Sequence, residues 1–318
     1  MIKIILLILG VAALAVMARK RLQSQPASTD DSPVAKPASG HYVIDSQGKR
    51  ISFDEFADRL MSYDIIAVGE LHDSEAHHQM QLRIIQAVYA RDHNLGVGME
   101  MFQRLPPFQD ALDRYVAGKI TEEELLRDTE YQTRWGFPWP LYQPILECAL
   151  QSRIPVAALN APVELTRRIK QVGWDGLTQA ERDQLGPVDF NVQAHRDHWM
   201  PLLSHMHGNR TPTPEEKERS YQIMTVWDDF MAQSTAKFQK ERQLKRMIVL
   251  AGGGHVEGGF GIPDRAAKYS GGKSVTVGIV IGGVNDQGPQ LPVDYLICVN
   301  PDLSQPGPCS GIAKADHE

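Results

Sequence analysis

Apolar and polar positions follow two periods along this chain, and the places where one gives way to the other divide it. Short apolar runs bounded by polar turns read as buried strands at Asp64–Val68, Leu95–Met99, Ile154–Leu159, Met247–Ala251, Val275–Ile281 and Tyr295–Val299. Helical periodicity lies between them. Ile51–Tyr63 puts Phe53, Phe56 and Leu60 on one side, with Ser52 placed as a cap. A helix beginning near Ser74 carries Leu82, Ile85 and Tyr89 on its apolar face, with His77 and His78 at the flanks of its first turn. Pro106–Val116 follows, then a short helix opened by a capping box at Thr121 and Glu124, then a helix that continues the aromatic loop WGFPWPLYQPILECALQSR. Between 161 and 246 the strand pattern stops, and helices are expected at Val163–Val172, Thr178–Leu185, Val192–Met206 and Pro214–Glu241. Alternating strands and helices predict an α/β fold, a mainly parallel sheet flanked by helices, with a smaller helical subdomain inserted at about 161–246.

Composition narrows the functional classes. The chain has 318 residues, 42% of them hydrophobic, which is enough for a large core. Its formal charge of -6 supplies no general attraction to nucleic acid or to an anionic membrane surface. The three cysteines, Cys148, Cys298 and Cys309, lack the close spacing of a zinc or redox motif; a Cys298–Cys309 disulfide is a minor alternative. At the amino end, Lys3 precedes an apolar run from Ile4 to Ala18 that suits the core of a signal peptide and is short for a membrane span. Residues 1–21 are therefore expected to direct export, either cleaved or kept as an anchor, since Arg19, Lys20 and Arg21 make poor cleavage flanks. No cysteine follows the run, which argues against a lipid anchor. A Ser, Pro and Ala rich linker is expected at 22–40, a folded domain at 41–300 and a loose tail at 301–318.

Candidate chemistry gathers at the ends of the predicted strands. The first strand runs into Glu70 and His72, the second into Glu100, and the fourth into a glycine-rich turn carrying His255. Gly69-Glu70-Leu71-His72 and Gly252-Gly253-Gly254-His255 are two copies of one device, a Gly-x-x-His turn after an apolar strand. Glycine allows a tight turn and close approach, and histidine supplies a nitrogen for a proton or a metal. A lone loop histidine is more often a hydrogen-bonded structural residue. Two such turns with two glutamates at neighbouring strand ends favour a shared crevice. His195 and His198, three residues apart, share a helical face, which suits either a ligand pair or a solvated surface; His205 and His207 follow. Met200, Met206, Met224 and Met231 fall at apolar helical positions and read as core.

VGELHDSEAHHQMQ, GVGMEMFQR, the aromatic loop, AALNAP and GGGHVEGGFGIPDRA together resemble the ChaN family of haem-binding uptake proteins, grouped with the Tiki and TraB proteins and similar in motif to erythromycin esterases. The likeness extends from about Asp64 to Ile281. It implies an α/β fold with a helical subdomain and a role in iron acquisition through non-covalently held, b-type haem. It also implies a homodimer that forms around two stacked haems, each iron held by one tyrosine while the partner subunit supplies a histidine and a lysine to the propionates. Tyr269, beside Lys268 and four residues before Lys273, is the first choice of iron ligand, and Tyr142 the second; the default role of either is packing. Phe260 nearby is a candidate wall for the macrocycle, and His195 and His198 are candidates for the contact from the second subunit. The expected setting is the periplasmic side of a bacterial envelope, with outer-membrane or periplasmic haem-transport proteins as partners. The competing expectation is a hydrolase in which Glu70, His72, Glu100 and His255 bind a divalent metal or activate water. A third is that this cluster only braces the loops.

Overall fold

The computed structural model describes residues 41–204, 211–282 and 291–299. Eight strands form one sheet: β1 (Tyr42–Asp45), β2 (Arg50–Ile51), β3 (Ile65–Glu70), β4 (Leu95–Gln103), β5 (Val156–Asn160), β6 (Arg246–Gly252), β7 (Ser274–Ile281) and β8 (Tyr295–Val299), in the order β2-β1-β8-β7-β3-β6-β4-β5. The six from β8 to β5 are parallel, and β1 and β2 close one edge antiparallel. The α/β class and every strand expected from periodicity are present. β1 and β2 had no counterpart in the sequence pattern. They are four and two residues long, too short to show alternation, and they form because β8 offers Tyr42–Asp45 a ladder.

The side-chain period of two assigns the faces. In β3 Ile66 and Val68 belong to one apolar core, and Ile65 and Ala67 to another across the sheet; in β6 Ile248 and Leu250 divide from Met247, Val249 and Ala251 in the same way. On the first face lie α1 (Phe53–Leu60), α2 (Glu75–Tyr89), α3 (Pro106–Val116), α4 (Glu122–Asp128), α5 (Tyr131–Arg134) and α6 (Gln143–Ser152). Their caps are as the sequence implied: Ser52 accepts from the Glu55 amide, and Thr121 and Glu124 form a capping box.

Four helices, α7 (Val163–Val172), α8 (Gln179–Leu185), α9 (Gln193–Leu203) and α10 (Pro214–Glu241), occupy the stretch without strands and enclose a core of their own around Leu165, Ile169, Trp199, Tyr221 and Phe230. The 28-residue α10 ties this unit to the sheet, since Met231, Ala232 and Phe238 belong to the second core together with Ile262 and Ala266 of α11 (Ile262–Ser270). Met200, Met224 and Met231 are packed into apolar cores. The amino-terminal segment, the linker, the tail, Cys309, His205, Met206 and His207 lie outside the described residues. No described helix is long and apolar enough to cross a membrane.

Candidate active site at the strand ends

Neighbouring strands β3 and β6 send the chain to opposite faces, β3 into α2 on the first core and β6 into α11 on the second. A crevice between diverging loops results, the usual place for ligands in such sheets. The two Gly-x-x-His turns meet there. A Cβ on Gly69 would lie 3.1 Å from the Cα of Gly253, so the loops approach backbone to backbone and leave little room for a side chain at 69.

Glu70 is buried at the centre of the first half. Its Oε1 accepts from the Tyr142 hydroxyl at 2.8 Å and pairs with His72 Nδ1 at 2.8 Å. Its Oε2 accepts from Gln81 Nε2 at 2.8 Å, with His78 Nδ1 at 3.4 Å. Burial alone would raise the Glu70 carboxyl, but the His78 and His72 rings outweigh it and hold the pKa well below the carboxylate range. Burial likewise opposes charge on His72 and His78, and the Glu70 carboxylate reverses this in both. Trp135 and Phe137 wall the His72 ring.

The second half is built on Asp228, buried within α10. Its Oδ1 accepts from His255 Nδ1 at 2.6 Å and its Oδ2 pairs with His195 Nε2 at 2.7 Å; His195 Nδ1 lies 3.3 Å from the Tyr221 hydroxyl. His255 Nε2 is left 3.8 Å from Glu100 Oε1, while Glu100 Oε2 accepts the Gly252 amide at 2.7 Å. Burial would depress His255, but Asp228 and then Glu100 raise its pKa to about 9. Trp199 packs on the His255 ring. The arrangement is therefore two carboxylate-oriented imidazoles, Glu70–His72 and Asp228–His255, on either side of Glu100. It can hold a proton on one ring and accept one at a carboxylate. Among the described residues no three His, Cys, Asp or Glu side chains are placed to hold a metal ion, so a divalent ion here requires them to close in.

The structure brings Glu70, His72, Glu100 and His255 together, as the strand-end reading expected, with one correction. Glu100 does not follow its strand; β4 continues to Gln103, and Glu100 sits in it where the pairing with β5 shifts register between Met99 and Gln103. The face shared by His195 and His198 is also corrected: it does not point to solvent. His195 is fully buried on Asp228, and His198 packs against Trp199 and Phe260. Tyr142 is fully buried, and burial with the Glu70 charge pushes its hydroxyl far above the usual phenol range. Tyr269 stands apart on α11, 37% exposed, donating to Asp229 Oδ1 at 3.0 Å. Burial and the Asp229 charge raise its pKa too. Lys268 is 76% exposed, with Nζ 3.9 Å from Asp189; Lys273 is exposed at the start of β7, its amide bound to Asp64. Phe260 packs on His195 and His198, on the crevice side, so it does not wall Tyr269.

Asp228 was not among the expected residues. Its signal was an Asp228-Asp229 pair inside the apolar stretch IMTVWDDFMA, charge where a buried helix face should be apolar. Two expected outcomes follow. Gly252→Ala places a methyl 3.0 Å from His72 Nε2 and 3.7 Å from Glu100 Oε2; the crowding should lower stability by about 1–3 kcal/mol in urea denaturation and move the His72 imidazole resonances. Because the folded pKa of His255 lies above its unfolded value, its pairing stabilises fully below about pH 6.5. That stability is lost as pH rises through about 9. Thermal scans between these limits should show a decline that His255→Gln flattens.

A family model described as haem-binding uptake, Tiki superfamily, ChaN matches residues 56–266. No curated protein matches the sequence. Among solved structures, ChaN of Campylobacter jejuni, described for cofacial haem binding, is 21% identical with a TM-score of 0.63, covering 81% of this chain and 96% of that one. A Bacillus cereus protein is 18% identical over 76% of this chain and 73% of its own, with a TM-score of 0.40. A mutant erythromycin esterase in its open conformation is 12% identical over 81% and 82%, with a TM-score of 0.42. The first likeness shows a shared fold.

Proposed function

The chain belongs to the ChaN family of haem-binding uptake proteins in the Tiki superfamily, and from that premise we propose that it holds haem through Tyr269 at an interface between two protomers on the periplasmic side of a bacterial envelope. The family match carries the haem reading, and the accessibility of the nine tyrosines supports the choice of ligand. Tyr115, Tyr131, Tyr142, Tyr221 and Tyr295 are buried, Tyr42, Tyr63 and Tyr89 are half-buried, and Tyr269 is the exposed large hydrophobic side chain among the described residues. An iron ligand must be reached from outside. The donor types fit haem: a phenol, with Lys268 beside it and Lys273 one short turn away for the propionates. Ferric iron, when bound, supplies the charge that makes a raised phenol ionise. In the free protein Asp229, whose carboxylate also pairs with Arg265, holds the Tyr269 hydroxyl proton.

One protomer offers Tyr269 no aromatic wall from Phe260, which fits a site completed by a second copy. Cofacial haem binding in the Campylobacter jejuni protein is in keeping with this arrangement. His195 lies too deep to serve the partner's propionates, which leaves Lys268 and Lys273 as the accessible candidates. Sedimentation of the haem-loaded protein tests the dimer: a monomer-to-dimer shift at one haem per chain is expected, and a monomer at saturation contradicts it. Haem-transport proteins of the envelope are the partners in this reading.

A second reading is carried by the two imidazole–carboxylate pairs: a hydrolase in which Glu100 takes a proton from water and protonated His255 donates one to the leaving group. A screen of ester and peptide substrates separates the two. Hydrolysis abolished by His255→Ala and untouched by Tyr269→Phe is the outcome this reading requires.

A further inference from the structure

Behind the Gly-x-x-His turns lies a cavity of about 250 Å³ that neither haem binding nor the acid–base cluster uses. Its wall is apolar, with Val256, Val277, Ile279 and Val293 around it. Glu70 belongs to its lining but spends its carboxylate on Tyr142, His72 and Gln81. Two polar side chains of the lining are not so engaged. His77, almost fully buried, accepts the Leu71 amide at Nδ1, 3.1 Å away. A neutral ring bound in that way carries its proton on Nε2, and burial, which lowers the His77 pKa to about 4, keeps the ring neutral. Nε2 thus remains a donor, with no acceptor among the described residues. The second is Glu257, whose carboxyl has no hydrogen-bond or ion-pair partner among the described residues and is pushed up by burial.

One fixed N–H donor and one unpaired carboxyl in an otherwise apolar chamber select a ligand type. A hydrocarbon leaves both unpaired. A carboxylate beside Glu257 either meets a like charge or must share one proton with it, and an ammonium has nothing to accept the His77 proton. A hydroxyl satisfies both, accepting from one and donating to the other. Size sets the second limit: an apolar cavity of about 150 Å³ already takes benzene, while sites for drug-sized molecules start at roughly 300 Å³. We propose that this cavity is a binding site for a small, mainly apolar alcohol or phenol, anchored through its hydroxyl by His77 and Glu257.

The test uses the full chain and three probes of one shape, para-ethylphenol, para-ethyltoluene and para-ethylbenzoate, followed by calorimetry and ligand-observed NMR. The phenol is expected to bind saturably and about tenfold more tightly than the toluene, a difference of about 1.4 kcal/mol, with the benzoate weakest. Glu257→Leu should erase the preference for phenol over toluene. Ile281→Trp, on the half-buried rim, should block all three probes while circular dichroism reports an unchanged fold; Val280→Trp serves if that variant does not fold. Equal affinities for phenol and toluene, phenol binding that survives both rim variants, or no saturable binding of the phenol up to its solubility overturns the proposal. Haem binding is unaffected in every arm, so failure here leaves the haem reading standing.

Discussion

Tyr269→Phe is expected to remove the tyrosinate charge-transfer band of the ferric haem complex and to weaken haemin binding by about a hundredfold, roughly 2.7 kcal/mol. The substitution deletes one oxygen and keeps the ring, so only the hydroxyl's hydrogen bonds to Asp229 Oδ1 and, more weakly, to the Pro187 carbonyl are lost. Tyr142→Phe is the control. That hydroxyl is sealed against Glu70 inside the crevice; its loss should leave the haem spectrum intact and lower stability by about 1.5–3 kcal/mol, the scale of a hydrogen bond to a charged group. A spectrum altered by Tyr142→Phe and unmoved by Tyr269→Phe would reverse the assignment. The two ligand candidates named from sequence are separated by burial alone, which one chain read as text does not reveal.

Glu70→Ala should be the most destabilising single change at the strand ends, by about 3–5 kcal/mol. Glu70 is the counter-charge for two buried histidines whose pKa values it raises, and it accepts from Tyr142 and Gln81 besides. Removing it takes the counter-charge from both rings and leaves His78, Gln81 and Tyr142 only longer contacts of 3.2–3.4 Å in a low-dielectric interior. The pH dependence carries a sign. The folded carboxyl is held below its unfolded value, so its contribution is present above about pH 4.3 and disappears as pH falls further. Urea denaturation of the wild type should therefore lose midpoint steeply on acidification, and the variant should not. A loss under about 1 kcal/mol in the variant would mean that the Glu70 network contributes little cohesion.

Most of the fold was legible because the sheet is parallel and buried on both faces. Such strands appear as apolar runs, and β3, β6, β7 and β8 were placed to within two residues. What escaped detection has identifiable causes. β1 and β2 exist through pairing with β8, a contact remote in sequence. β4 was cut short at Glu100 because its second half, MEMFQ, carries charge into a buried ladder, where partners from β6 and β5 accommodate it. The site was legible in the residues that end strands and illegible in those that answer them from afar. Asp228 reaches His255 from α10, 27 positions away, and Tyr142 reaches Glu70 across 72. The histidine spacing of α9 gave the right shared face, and tertiary packing turned that face inward, onto Asp228 and Phe260.

The most direct test of the haem reading is a haemin titration of the chain from His41 onward, followed by absorbance. Saturation at one haem per chain with a high-spin ferric spectrum and a tyrosinate band is the expected result. No saturable binding at micromolar haemin would contradict it and leave the Glu100 and His255 chemistry as the function to pursue.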